Sequence, residues 1–188
     1  MIGPKACIVR KSEIHQQPVC NEKEGGVMGA KEDMLKGKKI LIVDDESDVL
    51  DTLEELLSIC QVVKAGSFEE AKKQLKTQSF DMAVLDIMGV NGYELLEIAV
   101  GKKVTAVMLT AHALSPEDMM KSFKCGAAFY VPKDKISDMV SFLNKILEAK
   151  KKGKSTWIPF VGWAEAYYNA KYGPKWEACD MEFWKKLK

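Results

Sequence analysis

Residues 83–88 read Ala-Val-Leu-Asp-Ile-Met, an apolar run with one carboxylate set into it. Its continuity is that of a short strand buried on both faces. A carboxylate at the end of such a strand must be neutralised or used, because an unpaired buried charge is costly. Working outward from Asp86, the same pattern recurs. Upstream, Ile40-Leu41-Ile42-Val43 is another continuous apolar run, and it ends in Asp44-Asp45. Downstream, Val104 to Thr110 and Ala127 to Val131 are two more. Gln61-Val62-Val63-Lys64 is a shorter strand candidate.

Helical patterns lie between these runs. Val49, Leu50, Leu53, Leu56 and Leu57 recur at helical spacing. Ser67-Phe68-Glu69-Glu70 has the form of a capping box, and Phe68, Ala71 and Leu75 make the stripe that follows. A short helix is expected over Gly92 to Val100. Another opens at Ser115-Pro116-Glu117-Asp118, where an N-cap, a proline and acidic residues stand in order. Ile136, Val140, Leu143 and Leu147 mark a last amphipathic helix. Five strands alternating with five helices predict a doubly wound (βα)5 fold of flavodoxin-like type. Its five-stranded parallel sheet is covered on both faces, and a short helical C-terminal extension follows.

In such sheets a site forms beyond the carboxyl ends of the strands. Asp44, Asp45, Asp86, Thr110 and Lys133 all fall at that edge. Carboxylates gathered there repel one another, and a bound cation relieves them. Oxygen ligands with places left for water suit Mg²⁺.

Residue for residue, Lys38 to Lys150 resembles the receiver domain of two-component response regulators. The resemblance rests on the acids of IVDDE, the aspartate of VLDIM, the threonine of MLTA and the lysine of GAAFYVPK. It implies that Asp86 accepts a phosphoryl group from a phosphohistidine on a sensor histidine kinase or a phosphotransfer protein. Asp44, Asp45, Asp86 and the Met88 backbone carbonyl would hold Mg²⁺, with Thr110 and Lys133 on the phosphoryl oxygens. Thr110 and Tyr130 would form a conformational switch that changes a surface read by a downstream protein. Met88 and His112 would border the path of the hydrolysing water. The chain departs from the family in the loop after Asp86, which lacks a proline and is about two residues short. The resemblance implies a phosphoacceptor signalling protein rather than an enzyme with an external substrate.

Two other classes fit less well. A haloacid-dehalogenase-type phosphatase wants a second aspartate two residues after the nucleophile, where this chain has Met88. A flavodoxin-like cofactor binder wants a phosphate loop after the first strand, where this chain has Asp44-Asp45-Glu46. An alternative within the family is a divergent receiver that acts as a docking or dimerisation module through its C-terminal tail.

Composition narrows the reading further. Lys plus Arg is 28 against Asp plus Glu 27, which provides no basic field for nucleic acid, so no direct DNA binding is expected. No apolar stretch approaches a membrane span, membrane contact is not expected, and the chain reads as cytoplasmic. The 5 cysteines include no CxxC, which argues against a disulfide framework or a zinc site. Residues 1–36 are polar and aperiodic, and are expected to be a poorly ordered leader. Lys23-Glu24-Gly25-Gly26 precedes Met28, and purine-rich codons for such residues can spell a ribosome-binding site. Met28 is therefore a candidate start, and peptides from residues 1–27 in a mass spectrum would refute it. The receiver is expected over residues 37–150. Residues 151–188 form an aromatic-rich tail in which Gly173-Pro174 should separate two short helices. That tail is expected to pack on its own receiver, with docking to a partner or to a second copy as the second reading and membrane-surface binding, from aromatics with interspersed lysines, as the third.

Overall fold

The computed structural model describes residues 34–111 and 116–157, and beyond them positions 166, 167, 169, 170 and 173. The described residues all belong to one unit, Glu32–Lys188. Five strands alternate with five helices: β1 (Lys39–Val43), α1 (Ser47–Leu56), β2 (Gln61–Ala65), α2 (Phe68–Thr77), β3 (Met82–Asp86), α3 (Gly92–Gly101), β4 (Thr105–Thr110), α4 (Pro116–Lys124), β5 (Phe129–Pro132) and α5 (Met139–Lys151). A 3₁₀ segment, Lys133–Asp138, joins β5 to α5.

The sheet order is β2-β1-β3-β4-β5, and each pairing is parallel. α1 packs beside α5 and α2 beside α3, so both faces are covered. That is why β1, β3 and β4 read as unbroken apolar runs. The chain reverses its order at β1 and β3, where Val43 pairs with Leu85. Asp44 and Asp86 therefore emerge side by side. On the other flank of β3, Asp86 pairs with Leu109, and Thr110 pairs with Pro132. The edge strands differ in their defences. β2 carries Lys64, which pairs with Asp51 at 3.1 Å and Glu54 at 2.6 Å, and the four-residue β5 ends in Pro132.

Local chemistry explains most boundaries. Ser67 caps α2 by accepting the Glu70 N–H at 3.3 Å, while the Glu70 carboxylate reaches back to the Gly66 N–H at 3.0 Å. The capping box thus closes one residue earlier than its textual form implies. β4 begins at Thr105 rather than Val104, and β5 runs Phe129–Pro132 rather than Ala127–Val131. The last helix departs further from expectation. Its buried stripe is Met139, Phe142, Leu143, Ile146 and Ala149, whereas Ile136 lies in the 3₁₀ segment and Val140 and Leu147 are only partly buried. The tighter 3₁₀ winding shifts the angular phase before α5 starts, so a stripe counted from Ile136 drifts off the inner face.

The expected leader boundary also shifts. Leu35 is fully buried in the core, and its carbonyl accepts the Lys38 N–H at 2.9 Å. The packing of the receiver thus begins before residue 37. At the other end, Gly173 has a φ of 78° and donates its N–H to the Asn169 carbonyl at 3.1 Å. This is the left-handed terminator expected of a helix ending there. The second short helix of the tail and the Ser115 N-cap lie outside the described residues.

Candidate functional site

The site is assembled at the carboxyl edge of the sheet by strands too short to place their terminal residues anywhere else. Asp44 is fully buried and Asp86 is 2% exposed. Asp45, one residue beyond the buried Asp44, is exposed. Oxygens of Asp44, Asp45 and Asp86 lie within 4.8 Å of one another. Thr110 is buried at the end of β4.

Lys133 reaches into this group from the end of β5. Its Nζ lies 2.9 Å from Asp44 Oδ1, 2.8 Å from Asp44 Oδ2, 3.2 Å from Asp86 Oδ1 and 2.7 Å from Glu46 Oε1. Burial pushes the Lys133 pKa down, but the hydrogen bonds it donates to Asp44 and Glu46 outweigh it and leave the ammonium held above its ordinary range. Asp44 is raised as well, but there burial is the cause. It lifts the carboxyl above its ordinary value near 3.8, against the opposing pull of Lys133 and the Glu46 N–H. One ammonium thus meets three carboxylates, with Asp45 beside them, and it does not neutralise them all.

Asp86 is held in place by its own loop. Its Oδ2 accepts the N–H groups of Met88 and Gly89, both at 3.0 Å. Two glycines shape this loop for different reasons. A Cβ on Gly89 would fall inside contact distance of the Asp45 carboxylate, so glycine leaves that side chain its place beside Asp86. A Cβ on Gly92 would overlap the Asp86 carbonyl oxygen and lie 2.9 Å from both the Asp86 carbonyl carbon and Ile87 Cα. Those atoms are backbone and cannot swing aside. Between the glycines, Asn91 takes a left-handed conformation at φ 52°, which asparagine tolerates better than most residues. The short loop closes because these three residues let α3 start directly against Asp86.

Gly92→Ala should therefore cost about 1–3 kcal/mol through overpacking. It should also move the Asp86 carboxylate away from Lys133. Urea unfolding measures the first effect. An unchanged midpoint would show that the loop has slack.

The other residues singled out by sequence are placed as follows. Tyr130 is 1% exposed on β5, turned into the core. Met88 is 70% exposed, so its side chain stands at the rim while its N–H serves Asp86. His112 lies outside the described residues. Glu46 was not foreseen as part of the site. It is quoted in the acidic run, but its ion pair to Lys133 spans 87 residues of sequence and has no local signal.

The acidic group fits a hard divalent cation. Asp44 Oδ2 is buried and accepts no hydrogen bond, although Lys133 Nζ stands near it. A buried carboxylate crowded by two more, with a single ammonium among them, is a donor arrangement that Mg²⁺ takes. Asp44, Asp45 and Asp86 would hold it.

Residues 40–144 match the family described as the response regulator receiver domain. The chain belongs to this family. As a receiver it is 34% identical over 103 residues to the two-component response regulator ARR18 of Arabidopsis thaliana, across 52% of this chain and 16% of that protein. It is 29% identical over 104 residues to the transcriptional regulatory protein YvrH of Bacillus subtilis, across 53% of this chain and 44% of that protein. The chain thus spans less than half the length of these relatives. Among solved structures, a CheY-like receiver domain protein of Methanospirillum hungatei matches with a TM-score of 0.56 and 29% identity, covering 62% of this chain and 98% of that one. The receiver belongs to two-component signalling, and no helix among its described residues is long and apolar enough to cross a membrane.

Proposed function

We propose that Asp86 accepts a phosphoryl group from a phosphohistidine, with Mg²⁺ held by Asp44, Asp45 and Asp86 and by the Met88 backbone carbonyl. The observation that carries this reading is the placement of Asp86. It is a buried carboxylate fixed by two backbone donors, 3.2 Å from an ammonium and beside two further acids. In the transfer, an Asp86 oxygen forms the new bond to phosphorus as the phosphorus–nitrogen bond of the donor histidine breaks. The electron pair of the broken bond stays on the imidazole, which takes up a proton. The transition state spreads charge over three phosphoryl oxygens, so positioning and electrostatics do most of the work. When bound by these acids, Mg²⁺ would supply positive charge to the phosphoryl group. Lys133 pairs with one phosphoryl oxygen by leaving Asp44 and Glu46, and the Thr110 hydroxyl donates to another. Movement of Thr110 and Tyr130 then changes the surface that a downstream protein reads. The donor is a sensor histidine kinase or a phosphotransfer protein. The receiver is a phosphoacceptor with no external substrate, acts without DNA contact of its own, and works in the cytoplasm.

Incubation with phosphoramidate and Mg²⁺ tests this reading. An acid-labile phosphate on Asp86 is expected, and its absence from a chain with intact metal binding would sink the proposal.

The metal makes a separate prediction. Mg²⁺ at about 100 times its Kd should stabilise the parent by about 2.7 kcal/mol. Asp44→Asn should lose that gain. Without Mg²⁺ the same variant should melt higher than the parent. The folded-state pKa of Asp44 is raised, so its charge opposes folding above that value and its removal helps at neutral pH. A lower melting temperature without Mg²⁺ would contradict this sign.

The lifetime of the phosphorylated state should depend on Met88. An exposed thioether at the rim shields phosphorus by bulk and cannot orient water. Met88→Asn should shorten the lifetime, because an amide can hydrogen-bond the attacking water. An unchanged or longer lifetime would remove Met88 from this role.

A further inference from the structure

Beyond α5 the chain turns back onto the flank of the sheet farthest from β2. Trp157 is 3% exposed and belongs to the hydrophobic core. Its indole N–H donates to the Ala127 carbonyl at 2.6 Å, just ahead of β5. Its ring meets Phe123, in the last turn of α4, edge-on at 5.1 Å between centroids. Farther along, Tyr167 is partly buried against the core, and its hydroxyl makes a long hydrogen bond of 3.4 Å to Asp134 Oδ2. Asp134 follows Lys133 in the chain, in the 3₁₀ segment whose Lys135 departs from helical geometry.

These two contacts bracket β5. One fastens the extension to Ala127, two residues before the strand, and to α4. The other fastens it beside the ammonium that the strand delivers to the acidic site. A segment attached at both ends of one four-residue strand registers any displacement of that strand. β5 has cause to move. In the unmodified site, Lys133 is held by Asp44, Glu46 and Asp86. A phosphoryl group on Asp86 adds charge and acceptor oxygens that compete for the same ammonium.

We infer that Trp157 and Tyr167 hold the C-terminal extension on the α4–β5 flank as its intramolecular occupant, and that phosphorylation of Asp86 loosens both contacts. The inference rests on the phosphoacceptor reading given above. The kind of partner it implies is this chain's own aromatic segment, so any other protein using the flank would compete with it. The coupling is reciprocal: whatever weakens the dock favours the phosphoryl-bound form.

The sequence supplies its own reporter. All 4 tryptophans, Trp157, Trp163, Trp176 and Trp184, lie after Lys154, so indole emission reports on the extension alone. In the full chain with Trp163, Trp176 and Trp184 replaced by Phe, acrylamide should quench Trp157 poorly at rest. After phosphoramidate and Mg²⁺, quenching should rise several-fold. Asp86→Asn in the same background should abolish the rise. Phosphate on Asp86 without any change in quenching would overturn the inference and leave the acceptor reading standing. No phosphate on Asp86 would sink both. A second measurement avoids the triple substitution. Trp157→Phe keeps a ring but loses the bond to Ala127, and it should bind beryllium fluoride, a phosphoryl mimic, several-fold more tightly with Mg²⁺ present. Unchanged affinity would show that Trp157 is static packing.

Discussion

Asp86→Asn should abolish phosphoryl uptake altogether while leaving the fold intact. The amide is close to the carboxylate in shape. Its oxygen can still accept the Met88 and Gly89 N–H groups that hold the side chain now. What disappears is the anionic oxygen that attacks phosphorus. The loss should be complete rather than partial, because a neutral amide is not a competent nucleophile and the neighbouring acids are already committed. Asp44 is engaged with Lys133 and the Glu46 N–H, and Asp45 extends outward beside Gly89. Removing one of three crowded carboxylates also relieves repulsion, so the variant should be no less stable than the parent. Radiolabel transfer at the parental rate would place the acceptor elsewhere.

Lys133→Ala should carry the largest stability cost of any single change at the site, about 3–5 kcal/mol in the absence of divalent cations, the range for removing one partner of a buried ion pair. Its ammonium is the shared counter-charge of Asp44, Glu46 and Asp86. Without it, Asp44 is left fully buried with only the Glu46 N–H. The deficit should depend on pH in a definite direction. Burial and Asp86 already raise the Asp44 pKa, and losing Lys133 removes the main opposing influence. The folded variant then binds a proton more readily than the unfolded chain. Its deficit should shrink as pH falls through the raised value toward about 4, where unfolded aspartate titrates. In the parent the Lys133 contribution follows the opposite edge. The folded pKa is raised above 10.5, so the stabilisation is complete below that value and is lost only as pH climbs through the folded one. Mg²⁺ should restore part of the stability of the variant. Phosphoryl uptake should still fall, because no ammonium then meets the phosphoryl oxygen that Lys133 takes. Urea unfolding from pH 5 to 8, with and without Mg²⁺, decides the matter. A deficit that is small and flat with pH would mean the acids are solvated well enough to need no partner.

The strands and the acids at their ends were legible because burial on both faces forces a run of apolar residues. Any polar residue interrupting such a run must answer for itself. Asp44, Asp86, Thr110 and Lys133 all announce themselves in this way. The elements that escaped depend on long-range or angular information. The pairing of Glu46 with Lys133 closes a loop of 87 residues. The inner stripe of α5 depends on how many residues the preceding 3₁₀ segment consumes before the α-helix begins. Leu35 looks like an isolated apolar residue in a polar leader, and only the shape of the core shows that it fills a place there. Trp157 stood out by type, but nothing local indicates Ala127 as its acceptor. In the sequence Gly92 marks only the start of a helix. Its deeper reason, the lack of room against the Asp86 carbonyl, is steric and invisible in one dimension.

The ends of the sheet bear on how copies of this chain can meet. An exposed strand edge is a template on which another chain can lay its own backbone, and runs as apolar as β1, β3 and β4 would make hazardous fibres if they ever reached such an edge. Both borders here are poor templates. Along β2, Lys64 is tethered by Asp51 and Glu54 and crowds the approach with charge. Along β5, four residues offer little length, and Pro132 brings no amide donor to the ladder. The fibre-prone segments are thus confined to the interior of the sheet, and association between copies is left to side chains on the helices, where it can be reversible.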